Sequence, residues 1–157
     1  EPCAGNGHIA KVFKDRGYNV TCADLIQREY PLDKIWNFLE QQETFDGDIV
    51  TNPPYGLAQE SVEKALEMIP KGRKVVMYLK LTFLEGKKRR KLFDTNQLKN
   101  VYVLTQRSNC AKNGDEELFG AGAVAYAWFE WEKGANCKPL ITWINGDENP
   151  EKWSFME

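Results

Sequence analysis

The sequence has few cysteines and no long apolar run. None of its apolar stretches approaches the roughly 18 residues that a membrane-spanning helix requires, and no secretory signal opens the chain. Its four cysteines show no C-x-x-C spacing, which disfavours both a zinc site and a disulfide framework. We therefore expect no membrane contact, no bound metal, and reduced thiols in a cytoplasmic protein.

A strong excess of one charge is also absent. The 157 residues include 21 basic and 23 acidic side chains, which gives a net charge of −2. A slightly acidic protein is not a general coat for nucleic acid, so any contact with nucleic acid has to be local. The length predicts a single domain over residues 1–157, and the 42% of hydrophobic residues is ordinary for a globular protein.

One segment departs from this charge balance. Between residues 80 and 107 there are eight basic and two acidic residues. The segment is centred on five consecutive basic residues, namely Lys87, Lys88, Arg89, Arg90 and Lys91. Such a run is often only a solvated helix face. It can also bind phosphates, because basic segments supply most of the sequence-independent affinity for nucleic acid.

The most distinctive stretch, residues 48–55, predicts a buried strand that ends in a rigid turn. Ile49 and Val50 favour a strand, which has to stop before Pro53 because proline cannot donate to a sheet ladder. The residue before a proline is kept extended. In an open α/β sheet, ligands bind at the carboxyl ends of the strands. The residues predicted to stand at this end are Asn52, Pro53, Pro54 and Tyr55.

These four residues offer two oxygen acceptors and an aromatic ring, but no strong acid, base or nucleophile. The Asn52 amide oxygen and the Pro53 carbonyl can accept both hydrogens of a planar –NH2 group while Tyr55 stacks on its plane. An amine held in this way directs its lone pair at an electrophile. The alternative is a proline-rich turn in which Asn52 only caps the chain.

A second motif opens the chain. Gly5, Gly7 and Ala10 fit the pattern G-x-G-x-x-G/A, and Asp24 follows Gly5 by 19 residues, where a ribose-binding carboxylate belongs. The glycines let the backbone approach a ligand closely at a helix N-terminus. Alone, the pattern is equally typical of a nicotinamide-dinucleotide site. However, Glu1 stands where that site has an apolar residue, and a carboxylate suits a cationic ligand better than a pyrophosphate.

Together the motifs resemble those of the S-adenosylmethionine-dependent methyltransferases with a Rossmann-like fold, specifically the branch that methylates amino groups. In that family an E-P-x-x-G-x-G turn holds the methionine end of the cofactor, and an acidic residue after the second strand holds its ribose. An N-P-P-Y tip after the fourth strand orients the amino group. Segment 36–39 resembles the family's adenine-binding D-F-L, with Asn37 in place of the aspartate. The resemblance covers roughly residues 1–85.

The resemblance assigns roles to two sets of residues. The expected cofactor-binding residues are Glu1, Pro2, Cys3, Ala4, Gly5, Gly7, Asp24, Leu25, Asn37 and Phe38. The expected catalytic residues are Asn52, Pro53, Pro54 and Tyr55. The basic residues 87–91 are expected to bind nucleic acid.

The fold implied by the resemblance is α/β, with a mostly parallel sheet of the seven-stranded type, helices on both faces and an antiparallel strand near the C-terminus. Apolar periodicity predicts helices over 8–16 and 57–69 and strands over 19–23, 75–79, 101–105, 123–131 and 140–144. Residues 108–122 are predicted to form a polar loop. Because an apolar strand has to precede a glycine turn of this kind, we expect the domain to be N-terminally incomplete, with its first strand truncated.

The implied activity is methylation of an exocyclic amino group by S-adenosylmethionine, with N6 of adenine in DNA as the leading substrate. A duplex base has to be flipped out to reach such a tip. We expect target selectivity to be slight, or to come from residues 81–122, from a partner chain or from missing residues. The alternatives are methylation of a glutamine amide in a translation factor or of a ribosomal-RNA base. A non-enzymatic partner subunit that binds S-adenosylmethionine is a further alternative.

Overall fold

The computed structural model describes residues 1–106 and 124–144. In these ranges the helices are α1 (His8–Asp15), α2 (Ala58–Met68) and α3 (Arg90–Phe93). The strands are β1 (Ala23–Asp24), β2 (Lys34–Ile35), β3 (Ile49–Thr51), β4 (Lys74–Lys80), β5 (Leu98–Leu104), β6 (Tyr126–Glu132) and β7 (Leu140–Ile144). Short 3₁₀ turns cover Phe38–Glu40, Tyr55–Leu57, Leu81–Leu84 and Lys87–Arg89.

The strands lie in two sheets. β1 and β2 form a parallel pair, and the other five strands form a mixed sheet in the order β3-β4-β6-β5-β7. β6 is antiparallel to both of its neighbours, whereas the pairs β3–β4 and β5–β7 are parallel. The strands β3, β4, β5 and β7 therefore point the same way, and their carboxyl ends lie along one edge of the sheet.

The mixed sheet confirms the α/β class and the antiparallel strand near the C-terminus. The described strands are divided into sheets of five and two, because β1 pairs with β2 and does not pair with β3. The described residues therefore do not form a seven-stranded sheet. The stretch before the glycine turn lies beside β1: the Ala23 amide donates to the Glu1 carbonyl at 2.8 Å, and the Ala4 amide donates to the Ala23 carbonyl at 2.9 Å.

Most of the local predictions are confirmed. The predicted helices over 8–16 and 57–69 correspond to α1 and α2, and the edge strand over 140–144 is β7. The strand predicted over 19–23 is shorter than expected, because only its last residue lies in β1. The central strand β4 has one parallel and one antiparallel neighbour, so the prediction of a central parallel strand is half correct. The predicted loop over 108–122 lies outside the described residues.

The main core lies between α2 and one face of the five-stranded sheet. Alternate residues of β4 and β6 point to this face. They include Met77, Phe129 and Trp131, none of which exposes any surface. These side chains share one apolar cluster with Val62 and Ala65 of α2. Burial of this size holds the strand ends in fixed positions relative to one another.

The opposite face of the sheet carries a buried acid, Glu130. Its carboxylate accepts hydrogen bonds from the Tyr102 hydroxyl at 3.0 Å and from the Asn100 amide at 3.2 Å, and the Lys74 ammonium lies 3.9 Å away. Burial and the Glu130 charge raise the pKa of Tyr102, which keeps its hydroxyl protonated as a donor. These contacts tie β4, β5 and β6 together on the face that also carries the aromatic side chains discussed below.

In the described part of the chain, no helix is long and apolar enough to cross a membrane. Cys3, Cys22 and Cys137 are free thiols. Residues 1–106 and 124–144 contain no group of three or more side chains that could hold a metal ion.

Candidate active site

The tip residues 52–55 stand at the carboxyl edge of the sheet. β3 ends at the buried Thr51, and Asn52, which follows, is exposed to solvent. Pro53 is buried and anchors the turn. The Pro54 carbonyl accepts the amide hydrogen of Leu57 at 2.9 Å, which begins the 3₁₀ turn that leads into α2. The turn is therefore fixed from both sides, while the Asn52 side chain projects from it.

Two oxygen acceptors of the tip are not used by the rest of the described structure. Neither the Asn52 amide oxygen nor the Pro53 carbonyl takes part in a hydrogen bond within residues 1–106 and 124–144. The buried Pro53 fixes the turn that carries both acceptors, and Asn52 is exposed to solvent. The arrangement suits a ligand that brings two donors, as an amino group does.

The Tyr55 ring is half-buried and lies at the end of a row of aromatic side chains. Its centroid is 5.7 Å from that of Tyr126, which stacks on Tyr78 at 5.2 Å with an interplanar angle of 11°. Tyr78 in turn contacts Trp128 at 5.0 Å. The Lys80 ammonium lies 5.3 Å from the Tyr55 centroid. We call Tyr55, Tyr126, Tyr78 and Trp128 the aromatic row.

The glycine turn has one open side and one filled side. Gly5 and Gly7 have φ angles of 53° and 73°, which L side chains rarely adopt. A Cβ atom at Gly7 would lie 2.3 Å from the Tyr30 ring, so the protein itself packs against this glycine. A Cβ atom at Gly5 would meet nothing within 4 Å. The backbone at Gly5 is therefore open to a ligand.

Asp24 links this turn to the end of β1. Its Oδ2 atom accepts the Gly5 amide hydrogen at 2.8 Å, and its Oδ1 atom accepts that of Ile26 at 3.2 Å. The sequence predicts a ribose-binding role for Asp24 but does not reveal this bond to Gly5. An ionised carboxylate can accept about four hydrogen bonds, so these two bonds still allow it to bind hydroxyl groups.

Glu1 provides a second carboxyl group beside the turn. Burial raises its pKa to about 7, and the Ala10 amide in the first turn of α1 offsets part of this effect. The Oε2 atom of Glu1 is buried and has no hydrogen-bond partner among the described residues. A buried acceptor of this kind is suited to a cationic group, which would supply the missing partner.

Cys3 brings the glycine turn into contact with the tip. Its side chain is half-buried against the main core and lies beside Thr51, the last residue of β3. Burial raises the pKa of the Cys3 thiol to about 12, so it stays protonated and packs as a small apolar group. The backbone at Gly5 and the acceptor at Asn52 are thereby carried by two segments that touch each other.

The remaining predicted cofactor residues have different surroundings. Asn37 caps the 3₁₀ turn Phe38–Glu40, because its Oδ1 atom accepts the Leu39 amide hydrogen at 3.2 Å. Phe38 is only 5% exposed and belongs to the main core, whereas Leu25 is 62% exposed. The two residues that flank Cys3 in the turn, Pro2 and Ala4, are both buried.

A cavity of about 190 Å³ separates the two sheets. Its lining includes Glu1, Pro2, Trp36, Phe38, Ile49 and Met68. Neither the open side of the glycine turn nor the tip lines it. Three of the predicted cofactor-binding residues, Glu1, Pro2 and Phe38, do line it.

The five consecutive basic residues divide into two groups. Lys87, Lys88 and Lys91 are exposed. Arg89 folds back onto its own segment: its guanidinium donates to the Thr82 and Glu85 carbonyls and lies 4.9 Å from the Phe83 centroid. Arg90 forms an ion pair with Asp94 at 2.6 Å. Arg90 is exposed as well, so the three lysines are the exposed basic side chains of this run that form no ion pair among the described residues. The run follows the carboxyl end of β4.

Sequence reasoning missed Lys80, Tyr126 and Tyr30. Lys80 and Tyr126 meet because they are partners in the register of β4 and β6, which are far apart along the chain. Tyr30 lies in an irregular stretch and reaches Gly7 through the fold of the connection between β1 and β2. The alternation of aromatic residues in 126–131 is the only signal in the sequence that points to the aromatic row.

The chain has similarity to known proteins only at the level of solved structures: no family model and no curated protein matches it. A predicted O-methyltransferase from Agrobacterium tumefaciens aligns with a TM-score of 0.42 and 10% identity, over 65% of this chain and 45% of that one. A predicted class I S-adenosylmethionine-dependent methyltransferase from Listeria monocytogenes aligns with a TM-score of 0.37 and 13% identity, over 63% of this chain and 30% of that one. M1.HpyAVI aligns with a TM-score of 0.32 and 11% identity, over 98% and 71%.

The chain spans less than half the length of the first two structures, with 45% and 30% covered. Similarities at these scores do not assign the chain to a family, and the function has to be argued from the site itself.

Proposed function

We propose that the chain binds S-adenosylmethionine and methylates an exocyclic amino group, N6 of adenine in DNA. The observation that carries this proposal is the packing of Cys3, in the glycine turn, against the core that contains Ile49 of β3, which places it beside Thr51. It joins a turn with an open backbone at Gly5 to a tip with two available acceptors at Asn52 and Pro53. A cofactor site and an amine-binding site would then be neighbours, as direct transfer of a methyl group requires.

The residues of the glycine turn fit this cofactor. Glu1 has a buried carboxylate oxygen without a partner in the described structure, and it would bind the ammonium of the methionine end. Asp24 has acceptor capacity left for the ribose hydroxyls. Asn37 and Phe38 would flank the adenine. When bound, the cofactor supplies an electrophilic methyl group on a positively charged sulfur.

At the tip, the protein's contribution is orientation and electrostatics. The Asn52 amide oxygen and the Pro53 carbonyl would accept the two amine hydrogens and turn the nitrogen lone pair toward the methyl group. Both hydrogen bonds strengthen as the nitrogen gains positive charge, so they stabilise the transition state more than the ground state. Tyr55 would stack on the base, which has to leave the duplex to reach this edge.

The Rossmann-like fold, the DNA partner and the cytoplasmic location belong to the same proposal. The fold is supported by the parallel strands whose carboxyl ends carry the site. Contact with DNA is supported by the exposed Lys87, Lys88 and Lys91 beyond the end of β4. A partner chain would supply target recognition.

The test offers S-adenosylmethionine with a labelled methyl group to DNA, RNA and a translation release factor in parallel. The expected result is label in DNA, recovered as N6-methyladenine after digestion to nucleosides, and its disappearance in Asn52→Ala. Glu43→Gln serves as a matched control, because Glu43 is an exposed carboxylate paired with Lys34. Label in RNA or in a glutamine of the factor would establish an alternative substrate. Cofactor binding without any transfer would indicate a binding subunit, and absence of binding would refute the proposal.

A further inference from the structure

Two residues outside the motif contact the ring of Tyr55. Lys80 ends β4 and Tyr126 begins β6, and the two are direct partners in the antiparallel register. The Lys80 ammonium lies 5.3 Å from the Tyr55 centroid, and the Tyr126 ring lies 5.7 Å from it. This cross-strand pair therefore contacts Tyr55 from the sheet, at the same edge as the tip.

Tyr126 is itself held in place by the sheet. It stacks almost parallel on Tyr78, with an angle of 11° between the rings. Tyr78 is only 8% exposed and also contacts Trp128. Because Tyr126 is held rigidly by the sheet, its contact with the half-buried Tyr55 restrains the Tyr55 ring. A flexible surface residue would not restrain it.

We propose that Tyr126 and Lys80 are positioning residues that set the ring of Tyr55 for stacking on a nucleobase. This inference rests on the proposed function and deepens it, because it names the residues that hold the stacking ring in position. A carboxamide needs only the two acceptors of the tip. An extended aromatic row with a cation beside its outermost ring is typical of surfaces that stack nucleobases.

The spacing of the rings assigns the role of Tyr126. A base placed between two rings needs about 3.5 Å on each side, which requires about 7 Å between their centroids. Tyr55 and Tyr126 are 5.7 Å apart and inclined at 39°, so a base does not fit between them. Tyr126 therefore acts on the base through Tyr55. The Lys80 ammonium acts on the same ring through its attraction to the aromatic face.

The test uses two single-stranded oligothymidylates: one carries a single 2-aminopurine, whose fluorescence is quenched when it stacks on an aromatic ring, and the other carries a single adenine for the measurement of KM. The variants are Tyr126→Leu and Lys80→Met, with Tyr126→Phe and Lys80→Arg as conservative partners. Lys99→Met is the matched control, because Lys99 lies near the start of β5, at the opposite edge of the same sheet, and is paired with Glu132.

We expect Tyr126→Leu to reduce the quenching and to raise KM for the oligonucleotide about three- to tenfold, the range expected when one aromatic pair is removed. Lys80→Met should act in the same direction. Tyr126→Phe and Lys80→Arg should restore the quenching, since the ring and the charge are kept. Cofactor affinity should stay unchanged in all four variants, and Lys99→Met should match the wild type.

The outcomes separate this inference from the proposed function. If Tyr55→Ala leaves the quenching unchanged while label still enters DNA, the base does not stack on Tyr55 and only this inference fails. If no label enters DNA, the proposed function itself fails. If Tyr55→Ala abolishes the quenching but Tyr126→Leu and Lys80→Met do not alter it, only the positioning role fails. The positioning role would also be overturned by a second pattern of results. In that pattern Tyr126→Leu lowers cofactor affinity, Tyr126→Phe does not restore it, and Lys80→Met leaves the quenching unchanged.

Discussion

The buried carboxyl group of Glu1 makes a quantitative prediction about cofactor binding. Burial raises its pKa from 4.5 to about 7, so the group is largely protonated at pH 6 before the cofactor binds. A cationic ammonium favours the ionised form. Binding below pH 7 should therefore release a proton, and the affinity should fall about tenfold for each pH unit below 7.

The same shift affects the stability of the fold. Because the folded pKa lies above the unfolded value, the contribution of Glu1 to stability is fully present below pH 4.5 and is lost as the pH rises through about 7. A change in pKa from 4.5 to about 7 corresponds to about 3 to 4 kcal/mol. Glu1→Gln removes the ionisation, so this variant should be more stable than the wild type at pH 8 and equal to it at pH 4.5.

Calorimetry between pH 5.5 and 7.5, in buffers with different ionisation enthalpies, measures both the dissociation constant and the released proton. We expect about one proton per bound cofactor at the acidic end. Glu1→Gln should bind more weakly and without pH dependence, whereas Glu63→Gln, whose exposed carboxylate on α2 accepts from Gln59, should behave as the wild type. A flat profile in the wild type, or the same slope in Glu1→Gln, would refute the assignment of the ammonium to Glu1.

Three further predictions concern other parts of the site. Asn52→Ala should slow single-turnover methyl transfer about 100- to 1000-fold with unchanged cofactor affinity, and full activity would exclude the amine-orienting role. Asp24→Ala should weaken cofactor binding by about 1.5 to 3 kcal/mol in calorimetry, and an unchanged dissociation constant would remove it from the site. Replacing Lys87, Lys88 and Lys91 by glutamine should reduce the salt slope of DNA binding by about 0.9 for each phosphate that the protein no longer neutralises. Arg90→Gln should not change the slope, because Arg90 pairs with Asp94. If the triple lysine variant and Arg90→Gln have equal slopes, the lysines do not differ from Arg90 in binding phosphate.

The parts of the fold that depend on local rules could be predicted from the sequence. α1 and α2 follow from apolar residues at helical spacing, and β3 ends where Pro53 removes a donor. The α/β class is expected from the family resemblance of the glycine turn and the tip, two short motifs. In each case the decisive residues lie within about one element of each other, so no knowledge of distant contacts is needed.

The parts that depend on distant pairing could not be predicted. The insertion of β6 between β4 and β5 is determined by packing of the whole sheet, and it brings Lys80 and Tyr126 together. The bond from the Gly5 amide to Asp24 depends on how β1 lies against the turn. Within the basic run, the sequence does not show that Arg89 turns inward to its own backbone.

The charges beside the glycine turn favour a cationic ligand over a dinucleotide. Asp24 contributes to the raised pKa of Glu1, which means that the two carboxyl groups are close enough to repel each other. A pyrophosphate would bring negative charge close to both carboxyl groups. It would also leave the buried Oε2 atom of Glu1 without a hydrogen-bond donor, since this atom has no partner in the described structure. An ammonium relieves both the repulsion and the unsatisfied acceptor. The glycine pattern alone suits either ligand, and it is the pair of acids that favours the methionine end of S-adenosylmethionine.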